Sequence, residues 1–257
     1  DVELARVKLS ANWMAACGQP GEDAALFDAV AAASALCKRL GISIPVGKDS
    51  LSMRTAWRDG GQDKLVAAPV SLIVSACAPV DDVRRSLTPQ LRTDAGDTRL
   101  VLIDLSAGKQ RLGASIFAQV TQQIGNEAPD LDDPPRLAAA LRAVRKLASE
   151  GRVLAYHDRS DGGLFATICE MAFAGHCGVT LNIDILAMDP VASDWGDYKV
   201  RPEQVAVRRD EFTLRALFNE ELGLVLQVRA GETSEVMNAL RAEGLGSISH
   251  VVGQVND

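Results

Sequence analysis

The heptapeptide HDRSDGG (His157–Gly163) sets an imidazole, two carboxylates, a guanidinium and a hydroxyl directly before a glycine pair. An apolar run, RVLAYH, precedes it and a helical pattern, LFATICEMAFAG, follows. A strand-to-helix turn of this kind aims free backbone N–H groups and the positive end of the helix dipole at whatever fills it. Anions are favoured there, and Gly162 and Gly163 allow a phosphate to come close. Carboxylates in the same place make sense once a divalent cation is added. Asp158 is then a Mg2+ ligand, because Mg2+ uses one or two carboxylates and takes the rest of its shell from phosphate and water. Ser160 would bond to the nucleotide itself. The simpler alternative is that Ser160 or Asp161 merely caps the helix. Spacing alone leaves both open.

A second polar stretch, PVGKDSLSM (45–53), offers Lys48, Asp49 and Ser50 as a possible ligand loop. It is not a Walker motif: that pattern needs Gly at position 42, which is Ile, and Ser or Thr at 49, which is Asp. An ammonium and a carboxylate could still meet a polyphosphate or its metal, or form a solvated pair worth little. In LSANWMAACGQPGEDAAL, Asn12 and Trp13 read as a shaped loop before a helix, and dipole electrostatics account for Glu22 and Asp23 in its first turn. Other chemistries are poorly served. His157, His176 and His250 lack partners at zinc-ligand spacing, and no G-x-S-x-G elbow is present. Glu220 and Glu221 occupy adjacent helix positions, about 100° apart, so they cannot share one task as a glycosidase dyad does.

These groups need elements to hold them. Strand and helix patterns alternate without repeats, which predicts an α/β fold of α+β layers. Residues 22–40 read as a helix closed by Gly41, and 64–80 as one long buried strand. The polar stretch between Thr88 and Thr98 suggests a domain boundary, giving domains over 1–93 and 97–257. Beyond it come a strand at 99–105, an amphipathic helix at 112–125, and a helix opened by Pro134 and Pro135. A strand at 152–157, a helix at 162–175 and a strand at 178–184 follow. The stretch 187–210, rich in Asp, Pro and Arg, reads as an exposed insertion. A helix near 212–221, a strand at 222–230, a helix at 232–243 and a last strand at 248–255 complete the pattern.

The chain has 257 residues, 47% of them hydrophobic, enough for one large or two moderate cores. Its net charge of −7 leaves no basic stripe to release counterions, which argues against nucleic acid as a partner. Five scattered cysteines without a C-x-x-C pair suit reduced, buried thiols of a cytoplasmic protein. No stretch has the apolar length of a membrane span, so no membrane partner is expected. The first residues lack the features of a signal peptide and read as part of a longer chain.

KLSANWMAACGQPGEDAALFDAV, GISIPVGKDSLSM, LTPQL, AYHDRSDGGLFATICEMAFAGHCGV and LFNEELGLVLQV, taken in order, closely resemble the large-type phosphoribosylformylglycinamidine synthases, the formylglycinamide ribonucleotide amidotransferases. The likeness runs through nearly the whole chain and weakens at 187–210. LSANWMAA and HDRSDGG together tell against selenophosphate synthetases and thiamine-monophosphate kinases of the same superfamily. The resemblance implies an ATP-dependent ligase that converts formylglycinamide ribonucleotide, glutamine and ATP to the amidine, through an iminophosphate displaced by ammonia. It implies two mixed-sheet domains like the N- and C-terminal domains of aminoimidazole ribonucleotide synthetase, the first incomplete, forming most of the enzyme's second half. It also implies Asp158 as a Mg2+ ligand and Ser160 as a nucleotide contact, in a half that retains an auxiliary nucleotide. Further metal ligands would lie upstream, and a separate glutaminase domain downstream. Lys48, Asp49 and Ser50 would contact ligand near the interface between halves.

Overall fold

Apolar Leu9, Ala11 and Trp13 alternate with polar Lys8, Ser10 and Asn12 in KLSANWM and build β1 (Lys8–Met14), the middle strand of a three-stranded sheet. A computed structural model describes residues 3–187 and 202–256, which divide into two units, Asp1–Val83 and Arg84–Asp257. In the first unit β1 leads into α1 (Glu22–Leu40), which ends at a left-handed Gly41 and returns as β2 (Ser43–Ser50), parallel to β1. A hairpin follows, β3 (Arg54–Asp59) with β4 (Gln62–Ala67), and β5 (Ser71–Cys77) closes the three-stranded sheet antiparallel to β1.

Three expectations change here. The single strand expected over 64–80 is two strands in different sheets, and the break contains Pro69, which has no N–H to give a ladder. Neither piece is buried: every residue of β4 and β5 is exposed. Lys48, Asp49 and Ser50 lie in β2 rather than in a loop, because parallel pairing with Asn12, Trp13 and Met14 carries the strand to Ser50. By the same pairing Asn12 and Trp13 are strand residues.

The second unit opens with residues that pack onto its own sheet. Tyr156 N–H donates to Thr88 O (2.9 Å), and buried Gln227 bonds both the N–H and the carbonyl of Arg92 at 2.8 Å. The strands are β6 (Thr98–Asp104), β7 (Ala155–Arg159), β8 (Val179–Leu181), β9 (Gly223–Arg229) and β10 (Ser249–Val255). Their order is β7-β9-β6-β10-β8, with every pairing antiparallel, so only the first unit's sheet is mixed. Successive residues point to opposite faces, and each face has its own core. On one face, Val101, Ile103, Leu224 and Leu226 meet α3 (Pro134–Ser149) and α6 (Thr233–Ala242). On the other, Leu100, Leu102 and Val225 meet Leu164, Ile168 and Met171 of α4 (Gly163–Gly175).

The helix expected over 112–125 shrinks to α2 (Ile116–Val120). Ala114 and Gln122 both adopt positive φ (58°), and Gly113 packs so tightly on Glu127 that an added Cβ would lie 2.4 Å from its carbonyl oxygen. Of the insertion expected over 187–210, helix α5 (Pro202–Phe218) takes the last part, and 188–201 lie outside the described residues. The cysteines are unpaired, but none is fully buried and Cys77 is exposed. No helix of the described residues is long and apolar enough to cross a membrane.

Candidate functional site

HDRSDGG forms the end of β7 and the turn into α4, and strand alternation sorts its side chains. Asp158 and Ser160 are exposed, whereas Arg159 points inward with its side chain 2% exposed. The Arg159 guanidinium donates to Asp104 Oδ1 (2.6 Å), Glu221 O (2.6 Å) and Leu222 O (3.1 Å), tying β7 to β6 and to the entry of β9. Burial alone would raise the Asp104 pKa. Arg159's charge and hydrogen bond, with bonds from Ser106 and Gly108, instead hold it below the ordinary carboxylate value. Tyr156, largely buried and near the charge of Asp158, has its phenol pushed up to about 12. His157 shares Nε2 with Glu170 Oε2 at 2.8 Å, and its Nδ1 lies 3.6 Å from Asp158 Oδ1.

The alternative of a side-chain cap does not hold. The N-cap of α4 is Gly162, left-handed at φ 80°, and neither the Ser160 nor the Asp161 side chain bonds the helix end. Both N–H groups of the glycine pair have acceptors within the protein. Gly163 N–H donates to Ser160 O (2.9 Å), and Gly162 N–H donates to Glu220 Oε1 (2.8 Å). Gly163 is required by packing. It has φ 69°, and a Cβ there would lie 2.6 Å from Asn219 O and 2.7 Å from Leu217 O at the end of α5. Close helix packing at Gly163 and protein acceptors for both N–H groups are what the structure gives these glycines.

NEELG, beyond α5, holds the residues that sequence reasoning missed. Asn219 Nδ2 caps the helix by donating to Arg215 O (2.6 Å). Glu221, wholly buried, accepts from Arg111 Nε (2.6 Å), Arg111 Nη2 (2.9 Å) and Arg111 N–H (3.0 Å). The hydrogen bond to Glu221 drives the Arg111 pKa upward, and a second bond to Asp132 adds to it. Glu220 Oε1 accepts from Ile116 N–H as well as from Gly162 N–H, each at 2.8 Å. The two glutamates thus do separate work, though not as adjacent helix positions: α5 ends at Phe218, before both.

Asp158, Ser160, Gly162 and Gly163 share one turn of the second unit; Lys48, Asp49 and Ser50 belong to the first. Lys48 Nζ bonds Ser50 Oγ at 2.7 Å on the exposed strand. Among the described residues no three His, Cys, Asp or Glu side chains gather as a metal cluster. An exposed carboxylate beside an exposed hydroxyl fits the sparser demand of Mg2+, which needs one or two carboxylates with phosphate and water. A cleft of about 460 Å3 lies elsewhere in the second unit, lined by Asp104, Gln110, Leu186, Phe212 and His250 among others. None of the expected site residues lines it. Burial there depresses the His250 pKa.

Comparison with known proteins fits this layout. Residues 1–79 match the FGAR-AT PurM_N-like domain, and residues 96–257 match the C-terminal domain of AIR synthase related protein. Escherichia coli HypE, a hydrogenase maturation protein, is similar at TM-score 0.59 and 20% identity, over 99% of this chain and 69% of its own. A HypE structure in complex with ATP is similar at TM-score 0.59 and 18% identity, over 98% and 66%. Thermotoga maritima PurL complexed with ATP is similar at TM-score 0.58 and 14% identity, over 100% of this chain and 35% of its own. At such identities the likeness speaks for the fold alone. The family match spans most of the chain, and it concludes what the antiparallel sheet and its two helical layers began: this chain belongs to the AIR synthase-related family.

Proposed function

We propose that this chain is part of an ATP-dependent C–N ligase that converts formylglycinamide ribonucleotide, glutamine and ATP to formylglycinamidine ribonucleotide in the cytoplasm. Its own task is to hold a Mg2+-nucleotide at the turn after β7. The FGAR-AT match over residues 1–79 and the collinear motifs support the ligase. The observation that carries the nucleotide grip is the contrast within the turn. Arg159 and the N–H groups of Gly162 and Gly163 are engaged by the protein, while Asp158 and Ser160 are exposed. Asp158 holds the metal and Ser160 bonds the nucleotide; Mg2+ supplies the positive charge that lets a carboxylate and a diphosphate share one site. The remaining domains, a glutaminase among them, complete the enzyme, and Lys48, Asp49 and Ser50 contact ligand from the first unit.

A second reading keeps the nucleotide but not its turnover: it serves as a permanent brace. The closed turn favours this, since the groups around Asp158 and Ser160 are locked by protein bonds. Calorimetric titration with Mg2+ and ADP tests the grip. Asp158→Asn weakens affinity roughly tenfold or more, the scale of one charged contact; unchanged affinity sinks it. Amidine formation from the three substrates by the full protein tests the ligase, and its absence overturns that reading alone. A nucleotide that remains unconsumed during turnover selects the brace.

A further inference from the structure

The turn that presents Asp158 and Ser160 has no side-chain cap of its own, and its pivot, Gly162, has a left-handed backbone. Within the turn Gly163 N–H donates to Ser160 O (2.9 Å), and a bond from outside, Gly162 N–H to Glu220, ties it to the rest of the unit. From the geometry we infer that Glu220 is the positioning residue of this site: one carboxylate oxygen joins Gly162 N–H to Ile116 N–H and so locks the turn to the start of α2. This rests on the proposed nucleotide site.

The anchor is itself fixed from both sides. Asn219 is wholly buried and bonds back to Arg215 O, while Glu221 is wholly buried in its fork with Arg111. Glu220 therefore leaves a backbone that cannot drift. The partner segment is equally constrained. Ser115 Oγ accepts from Ala118 N–H (3.1 Å) and donates to Leu112 O (2.7 Å), and Ala114 N–H donates to Ile124 O (2.7 Å). Close packing of Gly163 on Leu217 O and Asn219 O sets the distance between α4 and the end of α5. Pairing of Asp158 and Arg159 with Leu224 and Gly223 holds the strand side of the turn, and the bond from Gly163 N–H to Ser160 O closes it. The bond from Gly162 N–H to Glu220 Oε1 adds a tie between these points and the start of α2. A carboxylate accepting two backbone N–H groups is a strong, charge-assisted arrangement.

The test combines amide exchange with nucleotide binding in the full protein. Glu220→Ala removes the acceptor, and Glu220→Gln keeps an oxygen for both N–H groups. In Glu220→Ala the Gly162 and Ile116 amides lose protection together, by roughly tenfold or more, the scale of a hydrogen bond to a charged group. Mg2+-ADP affinity falls about as far, while Glu220→Gln restores most of both. General destabilisation would expose amides across α4 and would not be rescued by Gln. Unchanged protection at Gly162 and Ile116 overturns the anchor. So does lost protection with unchanged affinity. If the wild type itself binds no Mg2+-ADP, the nucleotide site fails instead, and the paired amides alone then decide whether Glu220 holds the turn.

Discussion

The second unit fully buries Leu100, Leu102, Ile103, Leu147, Met171 and Leu226 between helices on both faces of its sheet. In the first unit, the buried apolar side chains among the described residues are Ala11, Ala15 and Ala16. Val46, Ile73 and Phe27 stay exposed, Phe27 at 73% on a helix without one buried residue. The two stretches read similarly as sequence, since β5 (SLIVSAC) is as apolar as β9 (GLVLQVR). What differs is whether an element of the described chain covers the strand. Exposed apolar residues on a strand and a helix are what a protein contact would cover. The chain spans 35% of the Thermotoga maritima PurL chain it resembles.

The polar groups divide in the same way. In the second unit they are organised around a buried pair, Arg159 and Asp104, with side chains 2% and 5% exposed. Arg159→Ala strands Asp104 in the interior and costs about 3–5 kcal/mol in urea unfolding. A loss below about 1 kcal/mol would mean the pair does not hold the sheet end together. Leu226→Ala leaves a cavity and costs about 2–5 kcal/mol. Ile73→Ala in the first unit costs no more than about 0.5 kcal/mol, as a surface change does. Equal losses at the two positions would erase the contrast between the units.

Acid sharpens the comparison. Asp104 has its folded pKa below the ordinary 3.8, so its contribution is present above that value and is lost as pH falls through the lower folded one. Arg159→Met removes this limb from a plot of stability against pH. His250 is held below its ordinary 6.5 by burial. The unfolded state therefore takes up its proton first, and stability declines as pH drops from about 7 toward the folded value. His250→Asn flattens that decline, and an unchanged slope would place its cause elsewhere. The smallest stability effect belongs to Ile73→Ser. It should leave unfolding nearly unchanged while shifting any self-association seen by size exclusion toward monomer.

Much of this was legible in the residues. Gly41 closes α1, and Pro134 opens α3, because capping is local chemistry. The reach of β2 through Lys48–Ser50 was not, since pairing with β1 set its length. The α/β class followed from alternating patterns, but the antiparallel order of the second sheet is a long-range choice. At the site, the strand-to-helix turn at HDRSDGG was legible, but the partners of its glycine N–H groups, Ser160 O and Glu220, were not. Period-2 alternation could have found the buried Arg159: if Asp158 faces out, its neighbour faces in. Nothing local distinguishes Glu220 from Glu221, because their partners lie at Ile116 and Arg111, roughly a hundred residues upstream in sequence.

The central claim is that Asp158 and Ser160 hold a Mg2+-nucleotide at the end of β7. Mass spectrometry of nucleotide released on denaturing the purified full protein tests it most directly. The account predicts ADP or ATP approaching one equivalent from the wild type and a large loss from Asp158→Asn. No nucleotide from the wild type, or equal amounts from both, would contradict it.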